Sequence, residues 1–179
     1  MKVIIGAGEQ RWGGWIPTQG EELNLLDENT WEAFFGEQQA EAFLCEHVFE
    51  HITVEEARHA AGLIKRYLKT GGFIRLAVPD KHFPNEEYQR TVQVGGPGPL
   101  DHPAADHKVV YGYKEFSEVF EQAGFAVSLL EYHDEHGVFH TTDWDVDVAP
   151  IFRSSKLDPR NQGGVIGFAS IIIDARKTG

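Results

Sequence analysis

Nine histidines lie in a chain of 179 residues, and several of them stand beside carboxylates. The densest run is His47-Val48-Phe49-Glu50-His51, which matches the H-x-x-E-H pattern of zinc proteases. That chemistry needs both imidazoles on one helical face, Glu50 as base and a further carboxylate from another helix. The helix-start signal falls after the motif, at Thr53, and an apolar strand runs straight into it. The plain reading is therefore a loop whose Glu50 and His51 fix a strand-to-helix turn, with His51 facing a cleft as its second role. A second run is Asp101-His102-Pro103-Ala104-Ala105-Asp106-His107. Here His107, oriented by Asp106, is placed to take a proton from an acceptor oxygen or nitrogen, against the alternative of a solvated loop histidine. The third, His133-Asp134-Glu135-His136 with His140 and Asp143, holds enough nitrogen and oxygen for a divalent ion but reads first as a polar surface loop. No residue is assigned as a metal ligand. The single cysteine, Cys45, has no internal partner and packs at a strand end. Trp12, Trp15, Trp31 and Trp144 read as core or cleft walls.

The elements that must position these groups follow from periodicity. Residues 2–6 form a short, continuously apolar strand that ends in Gly6-Ala7-Gly8, where missing Cβ atoms let the backbone approach a ligand. A third glycine and a following helix are both lacking, so a dinucleotide site is not indicated, and no Gly-Lys-Ser/Thr marks a P-loop. Residues 22–26 read as a further strand, 29–35 as a short helix and 40–45 as an apolar strand. Thr53-Val54-Glu55-Glu56 is a capping box, behind which Val54, Ala57, Ala61, Ile64 and Leu68 recur at helical spacing until Gly71-Gly72. Residues 73–78 are a strand stopped by Pro79, and 114–123 a helix with Gly124 after it. Strands follow at 125–132 and 165–175, with 133–147 unassigned between them. The long stretch 80–107 reads as a functional loop, a lid or acceptor wall. Alternating strands and amphipathic helices predict an α/β protein with a mostly parallel sheet covered on both faces. With no crossover helix between them, the last two strands read as an antiparallel pair at one edge.

Composition narrows the function classes. With 41% hydrophobic and 25% charged residues the chain can bury a core, which excludes disorder. A net charge of −12 repels phosphate backbones, so nucleic acid is not expected as a partner. No apolar run is long enough to span a membrane and no secretion signal is legible, which gives a cytoplasmic expectation. Nothing sets the oligomeric state.

Five segments occur in a telling order: Val3-Ile4-Ile5-Gly6-Ala7-Gly8, Gly14-Trp15, Phe43-Leu44-Cys45-Glu46-His47-Val48-Phe49-Glu50-His51, Leu68-Lys69-Thr70-Gly71-Gly72 and Leu76-Ala77-Val78-Pro79-Asp80. The order resembles the class I S-adenosylmethionine-dependent methyltransferases, and within them a short subgroup of predicted methyltransferases. The likeness runs from Lys2 to Asp80 and, more loosely, to the terminal strand. It implies one domain over residues 1–179, a Rossmann-like methyltransferase fold with a mostly parallel seven-stranded sheet and an antiparallel last strand. S-adenosylmethionine would lie across the C-terminal ends of the first four strands. Gly6, Ala7 and Gly8 would then line its methionine portion, Thr18 its ribose, Asn24 and Leu25 its adenine, and Glu46 and His47 its sulfonium side. A cationic sulfonium suits a net-acidic cleft. His107, with His51, is the catalytic candidate on the acceptor side, and the acceptor is a small molecule.

Two features depart from the family pattern. Thr18-Gln19 stands where an acid usually takes the ribose hydroxyls, unless residues 22–26 are the second strand and Asp27 is that acid. The stretch between Gly8 and Thr18 is also too short for the usual helix. The alternatives are therefore a non-catalytic binding domain that keeps the fold, or a metal-dependent hydrolase using the H-x-x-E-H histidines.

Overall fold

A computed structural model describes residues 1–96 and 103–179, so Asp101, His102 and the rest of 97–102 within the expected functional loop lie outside the described residues. Seven strands form one sheet: β1 (Lys2–Ile5), β2 (Trp15–Pro17), β3 (Ala40–Glu46), β4 (Leu68–Pro79), β5 (Ala126–His133), β6 (Phe139–Thr141) and β7 (Ser170–Arg176), in the order β2-β1-β3-β4-β7-β5-β6. The first four run parallel. The last strand is antiparallel to both β4 and β5. The antiparallel pairing of β5 with β7 is thus present, but it lies inside the sheet. The edge belongs to β6, which returns from β5 through the segment that periodicity left unassigned.

Period-2 alternation sorts each strand between two cores. Val3 and Ile5, Phe43 and Cys45, Ile74, Leu76 and Val78, Ile171 and Ile173 face a cluster with α1 (Glu28–Phe35), α2 (Val54–Tyr67) and α4 (Tyr113–Gln122). Ile4, Ala42, Leu44, Ala77 and Ile172 face the other way, onto Trp15, Trp144, Ala149 and Ile151. Both faces are therefore covered, as expected, but among the described residues the second is covered by irregular chain where the first carries helices.

The capping box forms as read: Thr53 Oγ1 accepts from the Glu56 N–H at 3.2 Å, and Glu56 Oε2 accepts from the Thr53 N–H at 2.7 Å. Such a cap contributes about 1 kcal/mol. The helix behind it stops at Tyr67, earlier than the glycine pair predicts, because Leu68 takes extended backbone and pairs with Ala40. Gly72 then lies inside β4, where a Cβ would stand 2.7 Å from the Glu41 carbonyl oxygen. Residues 22–26 form turns and not a strand. Leu23 and Leu25 are buried, while Asn24 Oδ1 accepts from the Leu26 N–H. Asp27 is the N-cap of α1, so β2 is the second strand and Asp27 does not stand at its end. The stretch 80–107 contains a helix, α3 (Glu86–Val92), capped by Asn85 and packed through Tyr88 and Val92 against Phe83 and Ala169. The terminal strand starts at Ser170, five residues later than read; Val165 is exposed. Among the described residues no helix is long and apolar enough to cross a membrane.

Candidate functional site

Gly6 follows β1 with φ of +62°, and a Cβ there would meet Val48 Cγ2 at 2.7 Å. Glycine thus lets the loop after β1 close against the loop after β3. Left-handed backbone costs a non-glycine residue about 1–2 kcal/mol, and overpacking a similar amount. Gly6→Ala is therefore expected to lose about 2–4 kcal/mol of stability in urea denaturation. A loss below ~0.5 kcal/mol would mean that the turn relaxes freely around Val48. The loop itself is tied down without a helix. The Ala7 N–H donates to the Thr18 carbonyl at 2.9 Å, and Gln19 Nε2 donates to the Gly8 carbonyl at 2.8 Å.

At the end of β3, Glu46 has a buried carboxylate that accepts from Gln10 Nε2 at 2.7 Å, the Phe152 N–H at 2.8 Å, the Arg153 N–H at 2.9 Å and Arg153 Nη1 at 3.2 Å. His47 is a non-glycine residue with φ of +55°. Its N–H donates to the Ala77 carbonyl at 2.8 Å, and its Nε2 lies 2.9 Å from Ser170 Oγ, whose own proton goes to the Arg153 carbonyl. Its Nδ1 is 3.2 Å from Glu50 Oε1. These three anchors hold the strained conformation.

The 3-10 turn Phe49–His51 carries Glu50 and His51. Burial pushes the Glu50 carboxyl up, but His47, by charge and by hydrogen bond, with the residue's own backbone N–H and His51, draws it below the usual carboxylate value. Burial first, and the nearby Glu50 charge second, raise the Tyr111 phenol to about 12. His51 Nδ1 lies 2.7 Å from Asp106 Oδ1, and His107 Nδ1 donates to the Val92 carbonyl at 2.9 Å. The two rings meet edge to face with centroids 4.9 Å apart.

These groups border a cavity of about 820 Å³ at the C-terminal ends of β1, β3 and β4. It brings together Gly6, Ala7, Gly8, Glu46, His47, His51 and His107, all of them read from the sequence. Thr18, Asn24 and Leu25 are not on its walls. Thr18 is buried and its hydroxyl donates to the Ile4 carbonyl at 2.8 Å. Asn24 shapes the turn before α1, its carbonyl accepting from Trp31 Nε1 at 2.7 Å, and Leu25 belongs to the helix-side core. Among the described residues the wall charges are Glu9, Glu46 and Glu50 with Arg11, Arg153 and Arg160, so the described walls are not the net-acidic cleft expected.

Sequence reasoning missed Phe152, Arg153, Arg160 and Phe168, which close the far side. Arg160 lies 3.6 Å over the Phe168 ring and pairs with the buried Asp158 at 2.6 Å. The 133–143 run provides no ligand cluster. His133 is buried against Asp80 at 2.8 Å, Asp134 pairs with His140, and Glu135 pairs with Lys114. For H-x-x-E-H, the run lies on a three-residue 3-10 turn and not on the α-helix that the protease pattern needs, and His47 Nε2 is engaged by Ser170.

No family model and no curated protein matches the chain. Solved structures do. A methyltransferase from Methanosarcina mazei superposes with a TM-score of 0.55 at 10% identity, over 99% of this chain and 92% of that one. A methyltransferase from Archaeoglobus fulgidus gives 0.55 at 12% identity, over 98% and 85%. An O-methyltransferase family protein from Burkholderia thailandensis gives 0.51 at 16% identity over 93% of this chain, which spans only 37% of that longer protein. At such identities the likeness is one of architecture: the chain has the fold of the class I S-adenosylmethionine-dependent methyltransferases.

Proposed function

We propose that the chain is a single-domain, cytoplasmic enzyme that binds S-adenosylmethionine in this cavity and transfers its methyl group to a small-molecule acceptor. The observation that carries this reading is the place and size of the cavity. About 820 Å³ lies against the side-chain-poor turn after β1, at the strand ends where open α/β sheets bind ligands. That volume falls within the range of about 300–1,000 Å³ usual for small-molecule sites. When bound, the cofactor supplies a methyl group made electrophilic by a sulfonium.

The chain's own residues do the rest. Gly6, Ala7 and Gly8 let the ligand approach the backbone. Glu46 and His47 fix the wall beside the sulfonium, although the Glu46 carboxylate already holds four donors and acts by shaping that wall. On the acceptor side, hydrogen bonds at Nδ1 leave the Nε2 atoms of His107 and His51 to take a proton. Trp12 closes one side of the cavity and does not fill it.

S-adenosylhomocysteine titrated against the purified chain tests the reading. Ligand at 100 times its Kd stabilises by about 2.7 kcal/mol, which raises Tm by about 5–10 °C for a chain of this size. No shift at millimolar ligand leaves the fold as a non-catalytic scaffold and ends the methyl-transfer assignment.

A further inference from the structure

We infer that Glu50, His51 and His107 form a binding site for a divalent transition-metal ion on the cavity wall. One ligand atom from each residue lies within 4.8 Å of the other two. Around an ion held at about 2.1 Å, ligand atoms sit about 3–3.5 Å apart, so closure needs side-chain shifts of about 1 Å.

The surroundings of the three groups are those of prepared ligands. Asp106 Oδ1 at 2.7 Å engages Nδ1 of His51, and the Val92 carbonyl at 2.9 Å engages Nδ1 of His107. Metal-bound histidines are oriented by partners of these two kinds, a carboxylate and a backbone carbonyl, which leave Nε2 for the ion. Glu50 is 1% exposed and its Oε1 faces His47, while its Oε2 is buried with no hydrogen-bond partner. A buried carboxylate oxygen without a donor is costly, and a cation bound there would satisfy it.

The ligand types select the ion. Two imidazoles and one carboxylate suit zinc, iron, cobalt or nickel, whereas magnesium and calcium prefer sets built from oxygen. All three residues lie on the cavity wall, so three protein ligands leave coordination positions open towards it. Two ligands come from the H-x-x-E-H run and the third from 56 residues beyond His51, with His47 positioning the glutamate. With an ion in place the two imidazoles serve as ligands and not as proton acceptors. The inference rests on this geometry; it replaces the proton-acceptor role of His51 and His107 in the methyl-transfer reading and leaves cofactor binding at the glycine turn untouched.

The test is calorimetric titration of untagged, chelator-treated protein with zinc alone, without S-adenosylhomocysteine, so that loss of one reading leaves the other standing. The expected result is one saturable site per chain. Affinity should fall at least 100-fold in His107→Ala and His51→Ala, be unchanged in His136→Ala, and drop about 10–100-fold in Asp106→Asn. Asp106 is an exposed residue, so Asp106→Asn keeps the test decisive if a buried variant fails to fold. No saturable site, or a site whose affinity survives both His51→Ala and Asp106→Asn, overturns the inference.

Discussion

Arg75→Met is expected to cost about 3–5 kcal/mol, lowering Tm by about 6–20 °C. Arg75 sits in β4 and is 3% exposed. Its Nε and Nη2 donate to the two carboxylate oxygens of Asp174, its cross-strand partner on β7, at 2.7 and 2.9 Å. Nη1 donates to the carbonyls of Asp145 and Ala149 at 2.9 and 2.8 Å, and the guanidinium lies 4.8 Å from the Trp144 ring. One side chain thus fastens irregular chain to the sheet face opposite α1, α2 and α4. Methionine fills much of the volume but leaves a largely buried carboxylate unpaired and two carbonyls without donors, the case in which breaking an ion pair costs most. Lysine restores the charge without the planar fork and should recover only part of the loss. Tryptophan fluorescence distinguishes local from global failure, because Trp144 would become hydrated first if only its segment detached. A cost below ~1 kcal/mol would show that the segment is held by apolar packing alone.

What was legible in the sequence is what repeats locally. Apolar runs gave β1 and β3, the Thr53–Glu56 pair gave α2, and the glycine after Ile5 marked the turn over which the cavity lies. Two misread elements had correct local patterns that lost to tertiary pairing. Leu68 continues the helical spacing of α2 but pairs with Ala40, and Leu23 and Leu25 alternate like a strand while Asn24 bends the chain between them.

The hidden part of the site is the irregular chain between β6 and β7. It is placed by single polar contacts between residues far apart in sequence: Glu46 with the Phe152 and Arg153 N–H groups, Glu131 with Ser155, and Arg75 with Asp145. Such contacts have no period. Glu50 shows the same limit, since its place beside His51 and His107 depends on a turn that brings residues 50–51 against 104–107.

Glu46→Ala should lose about 3–5 kcal/mol of stability and with it most of the ligand-induced rise in Tm. The carboxylate is the meeting point of the loop after β1, through Gln10, and the chain at 152–153, through two backbone N–H groups and one guanidinium N–H. Both are walls of the cavity, so removing the acceptor frees both at once. Glu46→Gln separates shape from charge. It keeps the volume and one carbonyl oxygen but points an amide at donors that need an acceptor, for an expected cost of about 1–3 kcal/mol. If the walls position the ligand, S-adenosylhomocysteine binding should weaken in Glu46→Gln even at a temperature where the protein is fully folded. Unchanged binding there would mean that Glu46 only staples the chain together and that the ligand rests on the glycine turn without needing the 152–153 wall.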